Sequence, residues 1–229
     1  NTLSLHDALP IFNVDPGPGG IFSLRSGFSK QVSAVGLRGA LSVGRYILMA
    51  DGADLRCLDT DTSSVSTIRS IASSGRFSGS VFNEELFFCT ESECLRFKDG
   101  DLRPWGVTGV PQLPEPSIVS GGLLAGEYQY AATFVDAYGD EGGVTLPLLI
   151  STGGNAGLQF VLPSAPEGGR VRLYVGPAQG SEMYLQFEGA GSYLCSSIVL
   201  DSARLETLGL RPPAPGDFIC EHNGVIAIA

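Results

Sequence analysis

The stretch "DGADLRCLD" (51–59) decides the fold, because it returns 40 positions later in altered form as "ESECLRFKD" (91–99). The runs before the two stretches keep the same offset, since "RYILM" (45–49) lies over "ELFFC" (85–89). The matching positions include Leu55 with Leu95, Arg56 with Arg96 and Asp59 with Asp99. An apolar strand, an acidic turn and a second strand in one register predict the same β-hairpin twice.

The repeat continues beyond these hairpins. Further turns and strands follow in both units, namely "DTDTSS" (59–64) with "VSTIR" (65–69), and "DGD" (99–101) with "LRPWGV" (102–107). At an offset of 140, "NGVIAIA" (223–229) lies on "NEELFFC" (83–89). A 40-residue period with several strands per unit is typical of β-propeller blades. We therefore predict about two blades in residues 13–108 and the start of the next blade in residues 217–229.

The intervening segment, residues 109–216, has a different character. Prolines mark both of its borders, in "VPQLPEP" (110–116) and "RPPAPG" (211–216), and proline-rich borders favour extended connections. Within it, about seven short strands in roughly 100 residues match the size of an immunoglobulin-like or fibronectin type III sandwich. We predict an all-β fold in which a partial β-propeller carries this β-sandwich as an insert.

Alternation of apolar and polar residues assigns the faces of two strands in the insert. In "EYQYAATFVD" (127–136), one face carries Tyr128, Tyr130, Ala132 and Phe134. In "RVRLYVG" (170–176), we expect Val171, Leu173 and Val175 to face inward, and Arg170, Arg172 and Tyr174 to face outward.

Composition limits the possible functions. Of 229 residues, 31 are glycine and 43% are apolar, which indicates a packed core built from short strands and turns. The net charge of −10 argues against a surface that coats nucleic acid, since such surfaces neutralise phosphates with lysine and arginine. Arg25, Lys30, Arg38 and Arg45 could line a basic channel in an oligomer, but scattered solvated side chains are the favoured interpretation. The sequence has no apolar run of 18 residues, so we predict no membrane span.

The ends of the chain are unusual. "NTLSLHDALPI" (1–11) resembles a translated sequencing adapter, and we predict that residues 1–12 are an artefact or disordered. His6 and Asp7 then carry no chemistry, and the start lacks the regions of a signal peptide. At the other end, "HNGVIAIA" (222–229) stops within an apolar run, so we expect the chain to be a fragment.

The five cysteines, Cys57, Cys89, Cys94, Cys195 and Cys220, match no disulfide-scaffold pattern, and the Cys89/Cys94 spacing is a weak zinc signal. Apolar partners in the repeat indicate that Cys57 and Cys89 act as small hydrophobic side chains. We expect reduced structural thiols and a reducing compartment during folding. Cys89 and Cys94 could instead face each other across a hairpin and form a disulfide, an alternative that the spacing leaves open.

The sequence offers no clear set of catalytic residues. A nucleophilic site would depend on His222 alone, because His6 lies in the excluded segment, and we expect His222 in a turn before a strand. The carboxylate pairs Asp51 with Asp54 and Glu91 with Glu93 belong to hairpin tips, which favours roles in turns over acid–base catalysis.

Other motifs have similarly simple interpretations. The acidic turns "DTD" (59–61) and "DAYGDE" (136–141) lack the ligand order of a calcium loop. The glycine-rich "DPGPGG" (15–20) and "STGGNAG" (151–157) lack the lysine and the helix of a phosphate loop. We expect Trp105 to pack at a blade edge. We therefore predict no catalytic, cofactor-binding or metal-ligating residues and no cofactor.

The stretch "NVDPGPGGIFSLRSGFS" (13–29) resembles the opening of propeller-like structural proteins of short-tailed phages. The residues that carry this likeness are Asn13, Asp15, Gly20, Arg25, Gly27 and Phe28. "LLAGEYQYAATFVDAYGDEGG" (123–143) and "RVRLYVGP" (170–177) resemble the fibronectin-type insert of such proteins, and "PPAPGDFICEHNGVIAIA" (212–229) resembles the return to the propeller. The chain is thus similar to the tail-nozzle and packaged-DNA stabilisation group of virion proteins.

This resemblance implies a non-enzymatic structural protein of the phage tail that is assembled in the cytoplasm of the bacterial host. Its partners would be copies of itself in a ring around the DNA exit channel, other tail or portal proteins, and packaged DNA nearby without specific contact. Two alternatives remain open. One is a secreted or cell-surface module that binds glycans or peptides, and the other is a propeller glycosidase with acidic residues near its channel.

Overall fold

The structure is a computed structural model that describes residues 14–16, 22–24, 32–72, 75–111, 113–144 and 146–229. These residues form seventeen β-strands and no helix, which confirms the predicted all-β class. A helix long and apolar enough to cross a membrane is therefore not found in the described ranges. The chain divides into two compact units, Asn1–Val35 and Gly36–Ala229. In the first unit, β1 (Val14–Pro16) and β2 (Phe22–Leu24) pair antiparallel.

Several predictions concern residues outside the described ranges. These are the proposed artefact at residues 1–12 with His6, and most of the residues that carry the phage-like opening, namely Asn13, Gly20, Arg25, Gly27 and Phe28. Lys30 of the predicted basic cluster also lies outside them.

The second unit begins with two antiparallel sheets of four consecutive strands each. The first sheet contains β3 (Leu37–Val43), β4 (Tyr46–Asp51), β5 (Asp54–Asp59) and β6 (Ser64–Ser70), in that order. The second sheet contains β7 (Ser78–Phe82), β8 (Glu85–Cys89), β9 (Cys94–Lys98) and β10 (Asp101–Pro104), again in chain order. The two quoted stretches therefore form the hairpins β4–β5 and β8–β9, as predicted.

Strand pairing repeats after 39 residues, not after 40. Val43 pairs with Tyr46 around a two-residue turn, and 39 positions later Phe82 pairs with Glu85 around the next one. The alignment that places Leu55 on Leu95 is therefore wrong by one residue. Because successive side chains point to opposite faces of a strand, this difference puts the aligned residues on opposite faces of their sheets.

Residues that match at an offset of 40 instead face each other between the two sheets. Leu55 of the first sheet and Leu95 of the second sheet lie in one buried core, at 0% and 1% exposure. Gly39 and Gly79 lie at the same interface, where a Cβ on Gly79 would approach Leu41 Cδ1 to 2.7 Å. The sequence repeat thus reflects the packing of two sheets as well as the repetition of a strand pattern.

A third, shorter element follows the same plan at the C-terminal end of the unit. β16 (Ile219–His222) and β17 (Val225–Ile228) form a hairpin that matches β7–β8 at the predicted offset of 140. Both central turn residues have positive φ in each hairpin, at Asn83–Glu84 and at Asn223–Gly224, which is the type I′ geometry. The first strands follow one another in space, since β3 lies beside β7 and β7 lies beside β16.

The second sheet packs against a different neighbour on each of its two faces. Phe88 and Leu95 point into the core shared with the first sheet. Cys89 and Cys94, on the other face, pack against Ile219 of the C-terminal hairpin, with Trp105 at the border of this cluster. The three elements therefore form a stack.

Cys89 and Cys94 form a disulfide between β8 and β9. This corrects the expectation that all five thiols are reduced, and it removes the argument for a reducing compartment. The reason is strand register, because the two cysteines pair directly opposite each other with Cα atoms 4.2 Å apart, close to the spacing of a non-hydrogen-bonded pair. The equivalent pair in the first sheet is Ala50 with Leu55. The free cysteines are Cys57 and Cys195, which are buried, and Cys220, which is exposed.

Between β10 and β16 the chain forms one curled sheet, which we call the half-barrel sheet, in the order β14–β13–β11–β12–β15. Its strands are β11 (Ser117–Val135), β12 (Leu148–Val161), β13 (Arg170–Val175), β14 (Tyr184–Gly189) and β15 (Ser192–Cys195). The sequence predicts about seven short strands in a segment of this size. The described part of the segment has five strands, two of which are long, and the glycine-rich stretch 151–157 lies inside β12 instead of separating two strands.

Glycines allow the two longest strands to bend together. The pairing of β11 with β12 shifts register after Ser120, next to Gly121. A Cβ on Gly121 would lie 2.5 Å from the Ala156 carbonyl oxygen, so a larger residue does not fit. On β12, Gly154 and Asn155 have φ values of +91° and +45° at the same level of the sheet, a conformation that glycine and asparagine tolerate best.

The half-barrel sheet has a core of its own. The predicted inward faces are confirmed, since Tyr128, Tyr130, Ala132, Phe134, Val171, Leu173 and Val175 all belong to this core. Tyr174 lies on the opposite face, as predicted, but is only 1% exposed because it packs in a second cluster with Val144 and Met183.

Candidate interaction surfaces

The acidic loop "DAYGDE" (136–141) leaves the end of β11 and is shaped by its own hydrogen bonds. The Asp136 carboxylate accepts hydrogen bonds from the backbone N–H groups of Tyr138 and Asp140, both at 2.9 Å. The Asp136 N–H in turn donates to the Asp140 carbonyl at 3.0 Å. This arrangement is the usual turn chemistry of aspartate, in which the carboxylate satisfies backbone donors.

Glu141 anchors the end of this loop to the outer face of the half-barrel sheet. Its carboxylate accepts from the hydroxyls of Thr133, at 2.5 Å, and Tyr174, at 2.7 Å, and it pairs with Arg172 at 2.8 Å. Burial, followed by the hydrogen bond to Glu141, raises the pKa of Tyr174. Arg172 also donates to Glu188 at 2.6 Å, and this bond lowers the pKa of Glu188. The group is a satisfied network in which each charge has a partner.

The tip of the loop contacts the second sheet through residues that we call the loop clamp. The Tyr138 hydroxyl donates to Asp101 at 3.3 Å, and the Arg103 guanidinium lies 4.3 Å from the centroid of the Tyr138 ring. Arg96 forms an ion pair with Asp140. Because the clamp is polar, it resembles the contacts between separable domains more than a shared core, and added salt should weaken it.

A cleft of about 520 Å³, which we call the rim cleft, opens where turns of the first and second sheets meet. The lining residues are Val43, Gly44, Arg45, Tyr46, Val81, Glu84 and Asp99. Its volume falls in the range of small-ligand sites. The Tyr46 ring is already in contact with Arg45, 4.9 Å from its centroid, and with Phe97, at a centroid separation of 5.4 Å.

The half-barrel sheet also exposes large apolar side chains. Leu124 and Leu146 are 74% and 76% exposed, and Val161 is 61% exposed. Burial of exposed apolar side chains against another protein surface is favourable. These side chains are therefore candidates for contacts with other copies or other proteins.

The carboxylates singled out in the sequence take part in contacts within the chain. Asp51 accepts from the Gly36 N–H at 2.8 Å and pairs with Arg56 at 2.9 Å. Glu93 accepts two hydrogen bonds from Arg69, at 2.8 and 2.6 Å, which join the first sheet to the second. Asp54 and Glu91 lie at the same hairpin tips, as predicted.

The "DTD" turn has comparable chemistry. Asp59 accepts from the Asp61 N–H at 3.0 Å, and both carboxylates lie near Arg45, at 3.7 and 3.4 Å. Within the described ranges, no group of three or more His, Cys, Asp or Glu residues is placed to hold a metal ion.

The remaining predicted residues lie at the surface or the edges of sheets. His222 is the exposed last residue of β16, directly before the turn, with its Nε2 3.1 Å from Asn223 Nδ2. Trp105 directly follows the edge strand β10, and its ring packs on Phe87 of the central strand β8 at a ring separation of 5.0 Å, on the face of the second sheet toward the C-terminal hairpin. Of the basic cluster, Arg38 donates to three backbone carbonyls, those of Gly52, Ala72 and Gly75.

Two sets of contacts were not found from the sequence. The Arg69–Glu93 pair joins residues 24 positions apart, and no local pattern indicates such a pairing. The Glu141 network draws on three strands and a loop, and its only signal is an acidic residue at the end of a turn. Both depend on tertiary packing.

Comparison with known proteins adds no family to these observations, because no family model and no curated protein matches the chain. Function is therefore inferred from the stacked sheets, the half-barrel sheet and their exposed surfaces.

Proposed function

We propose that the protein is a non-enzymatic structural component of a phage tail, in which the stacked sheets are consecutive blades of a β-propeller. The observation that carries this proposal is that the second sheet packs against the first sheet with one face and against the C-terminal hairpin with the other face. Radial repetition of four-stranded sheets produces this kind of stacking. The first strands of the three elements also lie side by side in the order β3, β7 and β16, which is the order expected of consecutive blades.

In this proposal the half-barrel sheet, within residues 109–216, is a fibronectin type III-like insert between blades in residues 13–108 and a blade that begins in residues 217–229. Two observations support an insert. The sheet has its own core, and the chain leaves and returns at one place, where a Cβ on Gly106 would lie 3.1 Å from Pro212 Cα. Neighbouring entry and exit points are typical of tolerated domain insertions.

Assembly into a ring around the DNA exit channel completes the proposal. Exposed apolar side chains of the insert, such as Leu146 and Val161, offer surface that copies of the chain can bury. The net charge of −10 keeps other surfaces apart and allows packaged DNA to pass without binding. Other tail or portal proteins would contact the ring in the virion.

Negative-stain microscopy of the protein expressed from its complete reading frame tests this proposal. Rings of regular size support it, and separate single particles at every concentration overturn it. Leu146→Ser should reduce the fraction of rings, whereas Ser151→Ala, a change at an exposed position of β12, should leave that fraction unchanged.

A second candidate function, a secreted or cell-surface module that binds glycans or peptides, is favoured by the rim cleft. Its volume suits a small ligand or a side chain of a peptide. Binding on a glycan or peptide array that is lost in Val81→Trp, which fills the cleft, and kept in Val161→Trp, outside it, would support this alternative.

A further inference from the structure

Next to the start of β12, one residue of β11 lacks a strand partner. On the side of β11 away from β13, pairing with β12 ends at Tyr130 and Leu148. The next contact on that side is the hydrogen bond from the Gly142 N–H to the Phe134 carbonyl, at 2.8 Å. Ala132 lies between these two contacts, and no described residue pairs with it there.

The hydrogen-bond pattern shows that the backbone of Ala132 points into this gap. The Gly176 N–H donates to the Gln129 carbonyl, at 2.8 Å, at the end of the β11–β13 ladder. Because bonding alternates along an antiparallel strand, Ala131 and Thr133 also bond to β13, whereas the N–H and C=O groups of Ala132 point the other way. Ala132 is only 5% exposed, and a buried backbone group without a partner is costly.

A cavity of about 360 Å³, which we call the gap cavity, lies at this position, with Ala131 and Ala132 in its wall. Its volume falls in the range of small-ligand sites. The other large side chains of the wall come from the segments on either side of the gap and are all apolar, namely Val110, Pro111, Leu113, Val144, Leu146 and Leu148.

The chain before β12 is held away from Ala132 by bonds to another segment. The Val144 N–H donates to the Thr207 carbonyl at 3.2 Å, and the Val144 carbonyl accepts from the Gly209 N–H at 2.6 Å. The Val144 side chain is buried in the cluster that contains Tyr174, on the outer face of the half-barrel sheet. These contacts keep the gap open beside Ala132.

The chemistry of the gap cavity defines the ligand that fits it. One water molecule takes up only about 30 Å³, and a cluster of waters in this cavity would meet mostly apolar side chains. The N–H and C=O groups of one strand residue lie side by side, so they match a donor and an acceptor on the same edge of a ligand. A primary carboxamide or a lactam has such an edge, whereas the N–H and C=O of a trans peptide group point in opposite directions.

We propose that the gap cavity binds a compact apolar molecule that carries a primary carboxamide or lactam edge. The Ala132 N–H donates to the carbonyl of the ligand, and the N–H of the ligand donates to the Ala132 carbonyl. The ligand thereby supplies the pair of hydrogen bonds that β12 does not make, and its apolar part packs on Val110 and Leu148. This site is separate from the rim cleft.

Isovaleramide is the probe for this site, and methyl isobutyl ketone is its control. The ketone keeps the branched chain and the carbonyl but has a methyl group in place of the amino group, so it accepts a hydrogen bond and cannot donate one. Binding is followed by NMR at the Ala132 N–H of the 229-residue chain, labelled at alanine. We expect a saturable shift with a dissociation constant of about 1 mM or below for the amide. The ketone should bind about tenfold more weakly or worse.

Variants of the protein provide a second control. Val110→Phe places a larger side chain in the wall of the cavity and should weaken the binding of isovaleramide by about tenfold or more. Val225→Phe, the same change at a position of β17 that is 65% exposed, should leave binding unchanged. The alanine signals show for each variant whether the fold is retained.

Each outcome bears on the proposal. Saturable binding of the amide that is weaker for the ketone supports it. Absence of a shift at Ala132 with isovaleramide up to about 10 mM overturns it. Equal binding of the amide and the ketone also overturns it, because the Ala132 carbonyl would then be unused, as does full binding in a folded Val110→Phe variant. Ring assembly is measured by particle size, so the two proposals can fail independently.

Discussion

Phe88 illustrates how one side chain fixes the stacking of two sheets. It is fully buried and packs edge-on against Phe77 at a ring separation of 5.4 Å. Gly79 pairs with Phe88 in the ladder, and its missing side chain lets the two sheets approach. Burial of such an aromatic ring contributes more to stability than any single polar contact at this interface.

Phe88→Ala should therefore destabilise the protein strongly. We expect the free energy of unfolding to fall by about 3–5 kcal/mol, the usual cost of truncating a buried phenylalanine. Val81→Ala, at a position of the same sheet that is 45% exposed, should cost well under half of that. Urea denaturation of both variants checks this, and equal losses would contradict the assigned faces.

Cysteine labelling tests the corrected redox state. With an alkylating reagent, the native chain should label once, at exposed Cys220. Burial raises the pKa of Cys195 to about 11 and also raises that of Cys57, so both remain protected thiols until unfolding. Intact-mass spectrometry should count three labels after unfolding and five after unfolding with reduction. Five labels without reductant would rule out the Cys89–Cys94 disulfide.

Glu188 should make the free energy of unfolding depend on pH in the acidic range. The hydrogen bond from Arg172 lowers its pKa below the ordinary value of 4.5, so the folded chain binds this proton less readily than the unfolded chain. The contribution is present above pH 4.5 and is lost as the pH falls through the lower folded pKa. The free energy of unfolding should therefore fall less steeply with acid in Glu188→Gln than in the wild type, as measured by denaturation at several pH values. Glu167→Gln, at an exposed position, should keep the wild-type slope.

At the scale of strands, the inward-facing side chains could be predicted from the local alternation of apolar and polar residues. Alternation in residues 127–136 and 170–176 gave the correct inward faces, because side-chain direction in a strand depends only on position. Pairing register was not predictable in the same way. Leu55 and Leu95 look equivalent in the sequence because both are apolar residues that fill the core between the first and second sheets. The positions of the two-residue turns show instead that strand pairing repeats after 39 residues.

The bend of the half-barrel sheet also escaped prediction. Glycine-rich stretches usually indicate loops, yet residues 151–157 lie within β12. Gly121 and Gly154 allow two paired strands to curl without ending. A one-dimensional pattern cannot distinguish this use of glycine from a turn.

Gly121→Ala should disturb this bend. The added Cβ would meet the Ala156 carbonyl at 2.5 Å, so we expect a loss of about 1–3 kcal/mol in the free energy of unfolding, as for other overpacked sites. Gly153→Ala is the matched control, since a Cβ at Gly153 meets nothing within 4 Å. Chemical denaturation distinguishes the two variants, and a neutral Gly121→Ala would contradict the proposed role of this glycine.

At the scale of the whole molecule, the sequence predicted an all-β chain whose strand pattern resumes after a long segment. It did not predict the loop clamp, because Asp101, Arg103 and Tyr138 meet only when the half-barrel sheet has folded next to the second sheet. Phage-tail function and ring assembly remain proposals that rest on stacking and on exposed apolar surface.

Sedimentation velocity of the protein from its complete reading frame, over a wide concentration range, tests ring assembly most directly. We expect a discrete oligomer of several chains that dissociates in the Leu146→Ser variant. A species with the mass of a single chain at every concentration would contradict the proposed ring.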